Sequence, residues 1–111
     1  MGKIHLVRKP TIEKFMAVHP FSNSAFRLWL TALKYARWHT PADISKTFAS
    51  ADLLGRGSNR VVFDISGNNY RMICKYAFGQ SEVHLYICWI GTHEAYDRLC
   101  GRQEQYSCSY Y

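Results

Sequence analysis

The chain has no run of eighteen apolar residues, so no segment reads as a membrane-spanning helix. Its opening residues, "MGKIHLVRKP", are too polar for a signal peptide. The expected location is the cytoplasm, with no membrane partner. The C-x-x-C spacing is also missing: Cys74, Cys88, Cys100 and Cys108 suit neither a disulfide framework nor a zinc site. Reduced thiols are expected. His84 and His93 would need a third and a fourth ligand that the sequence does not supply, so neither metal nor cofactor is expected. No pair of carboxylates or histidines stands at obvious general acid/base positions. Acid itself is scarce, with 8 Asp/Glu against 14 Lys/Arg and a net charge of +6.

What is present is one domain's worth of chain, 111 residues with a 15% aromatic share, enough for a single core. The charge is uneven. Residues 1–60 hold ten Lys/Arg against three Asp/Glu, and residues 61–111 hold four against five. A basic first half suits a polyanion such as RNA, or an acidic partner. A merely soluble basic domain would look the same.

Periodicity divides the chain. "KIHLV" reads as a short strand. "TIEKFMAVH" places Ile12, Phe15 and Met16 at helical spacing, and Pro20 ends that helix. In "SNSAFRLWLTALKYARW" the residues Phe26, Trp29, Leu30, Leu33 and Arg37 share a helical face, with Ser22 to Ser24 as candidate N-caps. "TPADISKTF" predicts a short third helix: Thr40 caps it, Pro41 takes its first position, and Asp43 closes a variant capping box. The period then changes to two. "NRVVFDI", "YRMICKYAF" and "VHLYICWI" read as an antiparallel meander, turning at "SGNN" and "GQSE". The fold class is α+β, with N-terminal helices packed on an antiparallel sheet. Residues 1–100 form the domain, and the tail, residues 101–111, lacks an apolar period and is expected to be loosely held.

Symmetric turns predict the register. Asp64 faces Arg71 across the first hairpin. Across the second, Arg71 faces Ile90, Ile73 faces Cys88, and Lys75 faces Tyr86. One face of the sheet then carries Asp64, Arg71, Lys75, Tyr86 and Cys88. The other, with Phe63, Met72, Cys74, Ile87 and Trp89, reads as core. Cys74 and Cys88 fall on opposite faces, which argues against a disulfide between them.

In "GTHEAYD", His93, Tyr96 and Asp97 would share one face of a helix that starts after Thr92. Together with "NRVVFDISGNNYRMICK" and "VHLYICWIGTHEAYDRL", this segment resembles the HigB family of RelE-like toxins from bacterial type II toxin–antitoxin systems. The likeness runs from about Trp29 to Leu99 and includes "ARW" and "FASADLL"; "GNNYR" and "GTHEAYD" are its most specific parts. The resemblance implies the microbial ribonuclease-like fold shared by RelE and ParE. It implies cleavage of mRNA on the translating ribosome, arrest of translation, and a HigA-like helix-turn-helix antitoxin in a toxin–antitoxin hetero-oligomer.

Residue by residue, the resemblance carries onto Gly67, Asn68, Tyr70 and Arg71, onto Lys75, and onto Gly91, Thr92, His93, Tyr96 and Asp97. Arg71, His93, Tyr96 and Asp97 become the catalytic candidates. Lys75, Asn68, Tyr70 and Tyr86 become the RNA-binding ones. The chemistry fits the residue types. A guanidinium fork matches two phosphate oxygens, and histidine as a residue type titrates near neutrality. Asp97 could orient His93 across one helical turn, and Tyr96 could donate a hydrogen bond or stack on a base. Blander roles are open to each: Arg71 in a cross-strand pair with Asp64, Lys75 and His93 in solvent, Tyr96 in packing, Asp97 in a pair with a neighbouring Lys or Arg.

The chain departs from the family at Cys88, where many members carry Lys or Arg; the missing cation would weaken phosphate binding on that face or shift its load to Arg71 and Lys75. Two rival readings follow. One is a non-nuclease, ParE-like poison of a protein target such as gyrase. The other is an inactive homologue that only binds its antitoxin.

Overall fold

The computed structural model describes all 111 residues. In chain order it holds β1 (Lys3–Val7), α1 (Lys9–Val18), α2 (Asn23–Tyr35), α3 (Ala42–Thr47), β2 (Asp52–Leu54), β3 (Arg60–Ile65), β4 (Tyr70–Phe78), β5 (Glu82–Thr92) and α4 (His93–Gly101). The strands form one mixed sheet in the order β1-β5-β4-β3-β2. No helix is long and apolar enough to cross a membrane.

The helices form where the apolar period places them. Phe26, Trp29 and Leu33 are the buried stripe of α2, and Lys34 sits in its last turn, where a cation suits the helix dipole. The helix stops at Tyr35, because Ala36 turns extended, so Arg37 lies outside it. None of Ser22 to Ser24 caps it through a side chain. A 3-10 turn, Pro20–Ser22, runs straight into α2 and leaves Ser22 helical, its hydroxyl donating to the His19 carbonyl at 2.6 Å. Only half of the expected capping box of α3 forms: Pro41 is the N-cap and not the first helical residue, and no side chain, that of Thr40 included, caps the helix. The Asp43 carboxylate accepts from the His39 and Thr40 amides at 2.7 and 3.1 Å. Those bonds hold its carboxyl below the usual range.

The meander β3–β4–β5 is as the alternation predicts, but two edge strands extend it. β2 pairs antiparallel with β3. β1 lies parallel to β5, with His5 opposite His84. A parallel neighbour needs a long crossover, and here the helices and the rest of the sheet intervene. The sheet is therefore mixed and five-stranded, where the local pattern gave an antiparallel three.

The register holds at Asp64–Arg71 and at Lys75–Tyr86. Between them a β-bulge intervenes. Beyond Cys74 the pairs shift by one, so Ile73 faces Trp89 and Arg71 faces Gly91, not Cys88 and Ile90. Cys88 is the extra residue. The slip also moves Trp89 out of its expected place in the core, and Ile90 takes that place.

Two apolar clusters result. The larger lies between the sheet and α1, α2 and α3, and includes Ile12, Phe26, Trp29, Trp38, Ile44, Phe63, Met72, Cys74 and Ile87. The smaller lies on the outer face, where Leu99 of α4 and Cys108 of the tail pack on Val62, Ile73 and Cys88, flanked by Trp89 and Tyr96. Cys74 and Cys88 thus sit on opposite faces, and all four cysteines are free. The tail is anchored, not loosely held. The Tyr110 amide donates to the Cys88 carbonyl at 2.8 Å, Arg60 Nη2 donates to the Cys108 carbonyl at 3.2 Å, and the Cys108 side chain is buried. This docking uses the bulge residue itself, Cys88, at a point of β5 beyond the last residue paired with β1.

Candidate functional site

At one end of the outer face, β5 passes directly into α4. Thr92 stays extended, and its Oγ1 accepts from the Ala95 amide at 3.2 Å, an N-cap that starts the helix. The His93 amide donates to the Asn69 carbonyl at 3.0 Å, which ties the start of α4 to the β3–β4 hairpin. His93 Nε2 stands 3.5 Å from Asp97 Oδ2, one turn along, with both side chains substantially exposed. An exposed imidazole held by a carboxylate can exchange protons with a bound substrate.

Arg71, opposite Gly91 near the end of β5, is only 8% exposed and already engaged. Its Nε lies 3.1 Å from Asp64 Oδ1. Its Nη1 donates to the carbonyls of Gly67 and Tyr70 at 3.3 and 3.1 Å, and its Nη2 to Asn68 Oδ1 at 3.3 Å. Hydrogen bonds thus take three of the five N–H groups of the guanidinium, and the ion pair occupies its Nε edge. Arg71 is thus foremost the clasp of the hairpin, in the cross-strand pair that its register dictates. Asn68 spends its side-chain oxygen on the same clasp.

The remaining candidates of this end divide. Tyr70 lies on the helix side of the sheet, edge-on to Phe15 at 5.5 Å and to His19 at 5.6 Å. Alternation along β4 puts it on the face opposite Arg71, so the two "GNNYR" residues cannot share a ligand. Tyr96 is half-buried and tilts against Trp89, with ring centroids 6.1 Å apart. Burial first, then its hydrogen bond to Cys100 and the charge of Asp52, push its phenol well up, against the opposing pull of Arg71. Tyr96 therefore keeps its proton and can serve as a donor, not as a base.

Lys75 and Tyr86 stand elsewhere. They pair across β4 and β5, four residues from Arg71 along the strand, or about 13 Å. The structure thus does not bring Lys75 and Tyr86 together with His93 and Asp97 at one phosphate. They line a separate cleft of about 410 Å³ with Arg8, Arg60, Ala77, Cys88 and Ser109. No acid lines it. Arg8, Arg60 and Lys75 have no carboxylate partner; the ion pairs of the molecule are His5–Glu82, Lys46–Asp43, Arg71–Asp64, His93–Asp97 and Arg102–Glu104. Cys88 stands among these cations, so the charge missing at its own position is present around it.

Sequence reasoning passed over Arg8 and Arg60. The signal for Arg60 existed, because the first hairpin's register sets it opposite Lys75. Arg8 had none. It reaches the cleft because β1 pairs with β5 and because Arg8 itself turns left-handed, at φ 73°, between β1 and α1.

The fold agrees with what the comparison with known families finds. The family model HigB_toxin, a RelE-like toxic component of a toxin-antitoxin system, matches residues 22–99. No curated protein matches the chain. The matched region runs from the start of α2 into α4, well over half of the chain, and takes in every candidate site residue from Asn68 to Asp97. The chain belongs to the HigB family of RelE-like toxins, and as the toxin of such a system it has an antitoxin for a partner.

Proposed function

We propose that the protein is an mRNA interferase, an endoribonuclease that cuts mRNA on the translating ribosome, arrests translation, and is neutralised by a HigA-like helix-turn-helix antitoxin. The observation that carries this reading is the acid-free cation cleft at Lys75, on the same sheet face as the exposed His93–Asp97 pair. A single strand laid along that face would meet cations for its phosphates and an imidazole for proton transfer.

In this reading the ribose 2′-OH gives up its proton and attacks the adjacent phosphorus in line. The P–O5′ bond breaks and the 5′-oxygen takes up a proton, leaving a 2′,3′-cyclic phosphate and a 5′-hydroxyl. His93, oriented by Asp97, carries one of these two proton transfers, a contribution of roughly 10²–10⁴-fold. Lys75, about 13 Å from Arg71 along β4, holds a neighbouring phosphate and not the one that is cut. Arg71 positions the hairpin and keeps the second N–H of its Nη2 free of hydrogen bonds for the reacting phosphate. Alignment of the message by the ribosome supplies what a sparse site lacks, since positioning alone can remove several kcal/mol of barrier.

Primer extension on a translated reporter mRNA after brief induction tests the reading, beside the same message without its start codon. Cuts confined to the translated message are expected. Growth arrest without cuts in either message would overturn it in favour of a poison of a protein target. The firm engagement of Arg71 in the hairpin is the observation that lends such a rival weight.

A further inference from the structure

The cation cleft does not end the outer face. Next to it, His5, His84 and Tyr86 form a ladder of rings across β1 and β5. His5 and His84 are cross-strand partners whose rings stack 5.3 Å apart at 23°. His84 and Tyr86, two residues apart on β5, stack 6.2 Å apart at 20°. All three rings are partly exposed. His5 Nε2 lies 3.2 Å from Glu82 Oε2, near enough for an ion pair when protonated but not aligned as a hydrogen bond. Tyr86 belongs to both groups: it is the last ring of the ladder and one wall of the cleft.

We infer that this half of the outer face is a binding strip for single-stranded RNA, with Arg8, Arg60 and Lys75 on the phosphates and the His5–His84–Tyr86 ladder under unpaired bases. A basic groove beside stacked rings is the arrangement that single strands need, because every base has a π-face and every nucleotide a phosphate. A duplex hides its base faces and offers the ladder nothing. The cations are positioned for the task. Arg60 is held by its Nη1 bond to the Ser58 carbonyl at 3.1 Å and its Nη2 bond to the Cys108 carbonyl, while its buried Nε has no acceptor within the protein. Arg8 donates from Nη1 to the Ile87 carbonyl at 3.4 Å, beside the bulge. Arg8, His5 and the tail that steadies Arg60 all lie outside the family match. The choice of RNA among polyanions rests on the nuclease reading; the geometry of the strip does not.

The test uses the whole purified chain and a fluorescent single-stranded RNA decamer, 2′-O-methylated so that it cannot be cut. Binding is followed by anisotropy over a range of salt. For single strands the slope of log affinity against log salt is about −0.7 per phosphate contact. Arg8→Gln, on the surface, should make the slope shallower by about 0.7. His84→Ala should weaken binding about ten-fold at every salt concentration with the slope unchanged. Arg60→Gln should act as Arg8→Gln does, provided its melting curve shows the tail still docked.

Duplex RNA should bind more weakly than the single strand. Equal binding of duplex and single strand, or an unchanged slope in Arg8→Gln, overturns the strip. Polyglutamate binding as tightly as RNA and indifferent to His84→Ala overturns it too, and marks an acidic protein surface as the occupant. The outcome is separable from the nuclease reading. A chain that binds with these signatures but leaves translated mRNA intact refutes the reading alone. A chain that cuts, while the Arg8 and His84 variants bind as the parent does, refutes the strip alone.

Discussion

Arg71 and Lys75 stand four residues apart on one strand and on one face, and they do opposite things. Arg71 is nearly buried, with an aspartate and three hydrogen-bond acceptors around its guanidinium. Lys75 is exposed and has no acidic neighbour. The cause is local. At the hairpin end, Asp64 lies opposite Arg71, and the turn folds its carbonyls back onto the guanidinium. Farther along the sheet, the residue opposite Lys75 is another cation, Arg60, and the Cys88 bulge with the docked tail keeps the surface concave. A cation on a toxin's sheet is therefore no marker of a phosphate site by itself; the partner across the ladder decides.

The largest expected effects separate the two ends by activity. His93→Gln should lower cleavage in a reconstituted translation system by about 10²–10⁴-fold, with an unchanged melting temperature and intact antitoxin binding. Wild-type cleavage by this variant would remove proton transfer from the hairpin end altogether.

The next separates them by stability. Arg71→Ala leaves the partly exposed Asp64 carboxylate unpaired, and should cost about 2 kcal/mol in urea unfolding. Lys75→Ala should stay within about 0.5 kcal/mol of the parent while weakening RNA binding. Equal losses of stability at both positions would erase the distinction drawn here.

Gly91, the partner of Arg71 across β4 and β5, offers a gentler probe of the hairpin end. A Cβ there would come within 2.5 Å of the Trp89 ring, so Gly91→Ala must displace the indole. A loss of about 1–3 kcal/mol is expected, together with a shifted tryptophan emission. Unchanged stability and emission would show that Trp89 moves aside freely.

The smallest effect lies at the tail. Burial first, then the charge of Cys88, push the Cys108 thiol up to about 11 from an ordinary 9.0. The folded chain thus keeps a proton that the unfolded chain releases. This contribution to stability is full below pH 9 and fades as pH rises toward 11. Cys74 and Tyr96, both raised mainly by burial, act in the same direction. Cys108→Ala should flatten the alkaline decline without abolishing it, as read from melting temperatures between pH 8 and 11. A decline as steep as the parent's would mean that the tail leaves its site before the thiol ionises.

Much of this was legible before any coordinates. The change of period from 3.6 to 2 located the helices and the meander, because a buried stripe and a buried face impose those spacings on any sequence that folds this way. Thr92 as a cap, the reach of Asp43 back to the Thr40 amide and the Asp64–Arg71 pair are local matters, decided within a few residues of chain. Three things lay beyond the residue order alone. The pairing of β1 with β5 joins residues almost eighty positions apart, and no local pattern encodes a parallel neighbour. The bulge at Cys88 carries no residue signature, yet a slip of one residue moved Trp89 to the outer face and set Arg71 opposite Gly91. The docking of the tail uses the Cys88 carbonyl, which lies past the end of the β1 pairing. Those three long-range facts gather Arg8, Arg60, Lys75 and the histidine ladder into one surface, because proximity in a sheet is fixed by which strands pair and in what register, and that is a property of the whole fold.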